Sequence, residues 1–201
     1  TDVPDDLVNP VAVSAGGYHT CVLDDNGVQC WGDNSDGQAD DKPYLVNPVS
    51  VSAGGYHTCA IDDNGVHCWG WIGYGQTNVP TDLVNPVAVS AGSSHTCAID
   101  DNGVRCWGWN DWGQTDVPDD LVNPVAVSAG GYHTCVLDDN GVQCWGCRRP
   151  GQADDKPYLV NPVSVSAGGY HTCAIADNGV HCWRWRGSGQ TQVPTHLVTH
   201  V

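Results

Sequence analysis

The sequence predicts an all-β fold, a β-propeller or toroid of five short disulfide-bridged repeats. Three observations carry that expectation. One 38-residue pattern recurs along the chain, the large apolar residues are of strand-forming types, and cysteines recur in pairs at a fixed spacing.

The repeats come first. The units span residues 1–38, 39–76, 77–114, 115–152 and 153–190, and a stub, 191–201, begins a sixth. Unit four nearly copies unit one, and unit five nearly copies unit two. The stub T-Q-V-P-T-H-L-V echoes T-N-V-P-T-D-L-V at the start of unit three, so the chain reads as a duplicated triplet lacking most of its last unit. The whole of 1–201 is read as a single repeat domain.

Composition agrees with strands. There are nine Trp and no Phe or Met, so the core must be Val-rich with Trp as its bulky filler. Such β-branched and aromatic usage favours strands. The 25 glycines and 12 prolines fall at regular intervals, which calls for short strands and tight turns.

Each unit has its own order of elements. Val11 and Val13 alternate with small or polar residues, as in a strand with one buried face. Gly16-Gly17 breaks it, and His19 to Leu23 forms a second strand. Asp24-Asp25-Asn26-Gly27 is a hairpin turn in which Gly27 takes positive φ. Val28 to Trp31 returns as a third strand, while Pro4 and Pro10 confine their segments to edges or connections.

These residues carry a family likeness. The run A-G-G-Y-H-T-C-V-L-D-D-N-G-V-Q-C-W-G-x-N-x-x-G-Q resembles the repeat of the regulator of chromosome condensation family of β-propellers. The short 38-residue form, with V-P before the next blade, is similar to the β-lactamase inhibitory proteins of that repeat class. The likeness covers all five units and implies a propeller. It does not imply an activity, because the family shares a scaffold among nucleotide exchange factors and enzyme inhibitors. Two departures stand out: such propellers usually have seven blades, and most members lack these cysteines. The exchange-factor role, which needs basic surfaces, is therefore not carried over.

The formal charge of −16 repels phosphate backbones, so nucleic acid is not an expected partner. No apolar run approaches the roughly 18 residues needed to span a bilayer, so no membrane insertion is expected. No charged-then-apolar leader stands at Thr1, so an exported chain would already have lost its signal.

Ten of the eleven cysteines flank the D-N-G turns. Cys21 faces Cys30 across its turn, Cys59 faces Cys68, Cys97 faces Cys106, Cys135 faces Cys144, and Cys173 faces Cys182. A hairpin places each pair directly across adjacent strands, near the separation a disulfide requires. Closing so short a loop contributes about 2–3 kcal/mol in the chain-entropy model. Such bridges also point to an oxidising, extracellular location. Metal is the competing reading, since His19, His57, His95, His133 and His171 each lie two residues before a cysteine and share its face. Zinc sites, however, usually show closer Cys pairs. Disulfides are therefore expected, with no metal or cofactor, and the repeated histidine is expected to bond a neighbouring blade. Cys147 lies in a variable loop without a hairpin partner, where an interchain bridge or a free thiol is expected.

Positions repeated in every unit serve the scaffold, so function is sought where units differ. The residues after C-W-G vary each time: Asp33 to Asp36, Trp71 to Tyr74, Trp109 to Trp112, Cys147 to Pro150, and Trp185 to Ser188 following Arg184. The five C-W tryptophans (Trp31, Trp69, Trp107, Trp145 and Trp183) are read as structural. Trp71, Trp109, Trp112 and Trp185 occur only in loops, where they either cover blade seams or offer flat apolar faces to a sugar. Unit three departs twice, in its loop Trp109-Asn110-Asp111-Trp112 and in Ser93-Ser94 before His95, where other units have Gly-Tyr. The predicted ligand-binding residues are Trp109, Asn110, Asp111, Trp112, Ser93, Ser94 and His95, with Trp71 and Tyr74 from unit two.

No catalytic constellation is present: the Asp pairs have a turn explanation, and the repeated Ser and His lack an oxyanion motif. The chain is thus expected not to be an enzyme. The functional expectation is a secreted lectin for a galactose-like sugar. The short Cys-Trp repeats are also similar to those of secreted haemagglutinating sponge lectins, which favour galactose. The alternatives are a protein-binding module, such as an enzyme inhibitor, or a purely structural protein. A homodimer is expected, because the stub leaves one extra connecting segment with strand-edge groups to satisfy.

Overall fold

The computed structural model describes residues 2–42, 44–147, 157–184 and 187–198. Among the described residues fifteen strands form five three-stranded antiparallel sheets. The first blade is β1 (Ala12–Ala15), β2 (His19–Asp24) and β3 (Gly27–Gly32). The second is β4 (Ser50–Ala53), β5 (His57–Asp62) and β6 (Gly65–Gly70). The third is β7 (Ala88–Ala91), β8 (His95–Asp100) and β9 (Gly103–Gly108). The fourth is β10 (Ala126–Ala129), β11 (His133–Asp138) and β12 (Gly141–Gly146). The fifth is β13 (Ser164–Ala167), β14 (His171–Ala176) and β15 (Gly179–Arg184). A short 3-10 turn, Thr195–Leu197, lies in the stub.

The hairpin within each blade follows from its turn. Asp24 pairs with Gly27 across a two-residue loop, and Gly27 adopts φ 108°, which a side chain would resist. Asp24 is buried and fastens the turn at both ends. Its carboxylate accepts from the Asn26 amide at 2.8 Å and from the Val8 amide at 2.7 Å. Asp25 accepts from the Asn9 side chain at 2.7 Å, so the Asp doublet ties each hairpin to its incoming segment. In the fifth blade Ala176 replaces the first aspartate, and the Asn178 side chain takes over the bond to the Val160 amide.

The strand register sets each cysteine opposite its predicted partner, and all five disulfides form. Cys21 bonds to Cys30, Cys59 to Cys68, Cys97 to Cys106, Cys135 to Cys144, and Cys173 to Cys182, each pair with Cα atoms 4.1 Å apart. The bridges are not equally covered on their two sides. Cys21, Cys59, Cys97 and Cys135, on the middle strands, are fully buried. Their partners Cys30, Cys68, Cys106 and Cys144 are half-buried on the outer strands, as are both Cys173 and Cys182 in the fifth blade. Among the described residues no group of His, Cys, Asp or Glu is arranged to hold a metal ion.

Blades join through a repeated polar seam. His19 Nε2 lies 2.7 Å from Thr58 Oγ1, His57 2.8 Å from Thr96, His95 2.9 Å from Thr134 and His133 2.8 Å from Thr172. The Thr58, Thr96 and Thr134 hydroxyls donate their only proton to the carbonyls of Gln38, Gln76 and Gln114. Each of these threonines must therefore accept from the histidine, which places a ring proton on Nε2. Burial favours the neutral state and pushes His57 and His133 down to about 3 and His95 to about 4. The inner strands add Ser14, Ser52, Ser90 and Ser128 hydroxyls, which accept from alanine amides of the next blade at 2.8–2.9 Å. At the axis the Gly17 amide donates to Gly54 O at 2.9 Å. A Cβ on Gly54 would sit 2.5 Å from Gly92 O, so only glycine permits this approach.

The blades run in sequence, β1 packing on β4, β4 on β7, β7 on β10 and β10 on β13. No comparable packing among the described residues returns β13 to β1. The two end faces are accordingly open: Val13 is 72% exposed and Ile175 49%, whereas Ile61 and Ile99 are 4% exposed.

The expected burial of Val11 is corrected. Val11, Val49, Val87, Val125 and Val163 are all exposed. Each stands just before its strand, where its backbone pairs with the neighbouring strand while its side chain leaves the core. Val11, for example, donates its N–H to Leu23 O.

Candidate ligand-binding site

The loops after C-W-G share one frame. The amide of the first loop residue donates to the carbonyl of the residue before the seam histidine: Asp33 to Tyr18, Trp71 to Tyr56, Trp109 to Ser94 and Cys147 to Tyr132, at 2.8–2.9 Å. The loop end is held by a buried glutamine, whose Oε1 accepts from the Asp36, Tyr74 or Trp112 amide at 2.9–3.0 Å. Variable side chains are thus presented from fixed backbone beside the tyrosines of the G-G-Y-H motif. The C-W tryptophans lie below. Trp107 and Trp145 donate from Nε1 to Gln76 O and Gln114 O, which ties them into the scaffold.

Aromatic rings connect across all five blades on this face. Tyr18 contacts Tyr56, Tyr56 contacts Trp71 and Trp71 contacts Tyr74, with centroids 5.1–5.7 Å apart. Tyr74 stacks on Trp109 at 5.6 Å and 24°, carrying the series past Ser94, where the third blade has no tyrosine. Trp109 then meets Tyr132 edge-on, and Tyr132 stacks on Tyr170 at 5.1 Å. The two tyrosine hydroxyls lie 3.3 Å apart.

A cavity of about 230 Å³ opens at the end of this series. Trp109 and Trp112 wall it from the third blade, Tyr132, His133 and Cys147 from the fourth, and Gly169, Tyr170 and Arg184 from the fifth. Trp112 is 41% exposed and stands edge-on to Tyr132 at 6.4 Å.

The predicted site residues divide. Trp109 and Trp112 line the cavity; Trp71 and Tyr74 belong to the aromatic series but lie outside it. Asn110 is engaged in its own loop, donating to Asp116 at 2.7 Å and accepting from the Thr115 amide at 2.9 Å. Asp111 is exposed and does not line the cavity. Ser93 faces the central axis, where its amide donates to Gly130 O, and Ser94 is buried. His95 is fully buried in the seam with Thr134. Residues 148–150, Trp185 and Arg186 of the variable loops lie outside the described residues, as does the end of the stub.

Cys147 is corrected in position. It was expected in a variable loop open to another chain, but it is a free cysteine that is buried, 8% exposed, with its amide donating to Tyr132 O. Cys147 lines the cavity. Sequence reasoning missed Tyr132, Tyr170 and Arg184 as wall residues. Repetition made the tyrosines look like scaffold, and the available signal for Arg184 was its replacement of the glycine of C-W-G.

The comparisons agree with this architecture. The ectodomain of the Physcomitrella patens receptor kinase CR4 is 25% identical, with a TM-score of 0.75 over 93% of this chain and 55% of that one. The CRINKLY WD40 ectodomain of the Arabidopsis thaliana receptor kinase ACR4 is also 25% identical, with a TM-score of 0.72 over 93% of this chain and 70% of that one. Human WBSCR16, at 19% identity and a TM-score of 0.75, covers 92% of this chain and 65% of its own, and shows the fold alone. The chain thus spans about half the length of the first of these structures. No curated protein matches it. No helix among the described residues is long and apolar enough to cross a membrane. The regulator of chromosome condensation (RCC1) repeat matches residues 11–38, 49–76, 87–114 and 125–152, so the chain belongs to that repeat family.

Proposed function

We propose that the protein is a secreted, non-enzymatic carbohydrate-binding protein that takes one sugar ring in the cavity between the third, fourth and fifth blades. The supporting observation is the wall itself: four aromatic side chains, Trp109, Trp112, Tyr132 and Tyr170, converge on one concave site. Flat apolar rings pack against the C–H faces of a pyranose, while the tyrosine hydroxyls bond its oxygens. The volume falls below the ~300–1,000 Å³ of drug-sized ligand sites, which suits a single ring. Galactose is the first neutral probe. The disulfides support an extracellular setting.

The test is a glycan array with the wild type and the double variant Trp109→Ala/Trp112→Ala. Glycan retention by the wild type, lost in the variant with unchanged circular dichroism, supports the reading. Equal retention by both removes the site. A second reading, a protein-binding face, draws on the length of the aromatic series, which extends over all five blades beyond the cavity. Under that reading, Tyr18→Ala and Trp71→Ala weaken binding as much as the cavity variants do. The open faces at Val13 and Ile175 support a homodimer, and a monomeric mass by light scattering would remove that part of the proposal.

A further inference from the structure

Position 184 breaks the repeat in an informative way. The equivalent residues Gly32, Gly70, Gly108 and Gly146 take φ of 101–114°, and a Cβ on each would meet a backbone oxygen at 2.7–2.9 Å. Arg184 holds the same place with φ 85°. A non-glycine residue there is strained, and such strain persists where the surroundings enforce it, often at ligand sites.

The side chain has an unusual environment. Arg184 is 6% exposed, and its Nε has no hydrogen-bond partner. Among the described residues the ion pairs are Lys42–Asp40, His67–Asp62 and Arg105–Asp82, so no carboxylate neutralises it. A buried, unpaired guanidinium is costly, and the cost is relieved by an anion. Among the described residues no aspartate or glutamate lines the cavity to repel one. His133, held neutral by burial with Arg184 nearby, does not compete as a second cation. Burial brings Arg184 down only to about 10, so it stays charged at neutral pH.

We propose that the cavity is the subsite for an acidic sugar, a uronic acid whose carboxylate pairs with Arg184 while its ring lies against Trp109, Trp112, Tyr132 and Tyr170. This rests on the saccharide reading above and narrows it. The planar guanidinium fork matches a carboxylate bidentately, and the aromatic walls exclude water from the pair.

The experiment is calorimetric titration of the full chain with galacturonic acid, galactose and acetate. It is repeated on Arg184→Gly, the residue that four other blades carry, and on Arg184→Gln, which keeps bulk without charge. The expected result is galacturonic acid binding at least about tenfold more tightly than galactose, as a charge-assisted contact provides. Acetate should bind more weakly than galacturonic acid, and the preference should vanish in both folded variants. Equal binding of galactose and galacturonic acid, or a preference kept without Arg184, overturns the inference and leaves the saccharide reading standing. Acetate as tight as galacturonic acid overturns it in favour of a bare anion site. Binding of neither sugar overturns both.

Discussion

Where the second and third blades meet, His57 and Thr96 are fully buried and bonded to one another. On the loop face above, Tyr74 and Trp112 stand 49% and 41% exposed. Both regions come from one repeat, yet they obey different constraints. A seam residue must match its counterpart one blade on, so a change in either leaves a buried group unpaired. Each described loop backbone is anchored the same way, to the carbonyl before the seam histidine or to a glutamine side chain, whatever side chains it carries, so the side-chain chemistry varies on a fixed frame. The scaffold resists change in the first region and admits varied side chains in the second.

The comparison implies that acid will damage the seam before it touches the loops. The neutral rings of His57, His95 and His133 stay unprotonated when folded, whereas unfolded histidines gain a proton below their ordinary 6.5. Stability is therefore undiminished above pH 6.5 and falls as pH drops toward the folded values of about 3 to 4. Between pH 6.5 and 5 the loss is about 2 kcal/mol for each of the three rings. Denaturant titrations at pH 7, 6 and 5 measure it, and a flat response would show that the seams tolerate imidazolium.

Glycines at the axis sharpen the same contrast. Gly92→Ala puts a Cβ 2.6 Å from both Gly130 O and His95 Cε1, and is expected to cost about 3 kcal/mol. Gly169→Ala, at the open end of the arc, meets nothing within 4 Å and should stay within about 0.5 kcal/mol of wild type. Similar melting shifts for the two would contradict the axial packing described here. Next in size, Thr96→Val removes the group between His57 Nε2 and Gln76 O, with an expected loss of about 1–3 kcal/mol at pH 7. The smallest effect belongs to the loop face: Trp112→Ala should change stability by less than about 0.5 kcal/mol while weakening any ligand of the cavity. A large melting shift from that variant would make Trp112 part of the scaffold.

Much of the scaffold was legible because its causes are local. The D-N-G turn sets the hairpin, the hairpin sets Cys21 against Cys30, and repetition carries the result through Cys68, Cys106, Cys144 and Cys182 in the later blades. The burial of Val11 was misread because alternation reports which face a side chain takes, and not where a strand begins or what covers it. The candidate site was half legible. Trp109 and Trp112 announced themselves by their rarity, but Ser94, whose carbonyl accepts from the Trp109 amide, and His95 are buried and do not line the cavity. Tyr132 and Tyr170 enter the cavity through packing between blades, at separations no local pattern encodes.

By itself the sequence determined the repeat, the strand order within each blade, the five disulfides and the acidic surface, since each depends on composition or on residues close together in the chain. Only the tertiary structure decided what lies between blades. It turned the repeated histidines into a neutral seam and left the end faces at Val13 and Ile175 open. It also buried Cys147 and brought Arg184 into the cavity with rings from two other blades. The physical reason is that backbone hydrogen bonds and turns act over a few residues, whereas burial and aromatic contact depend on which blade packs against which.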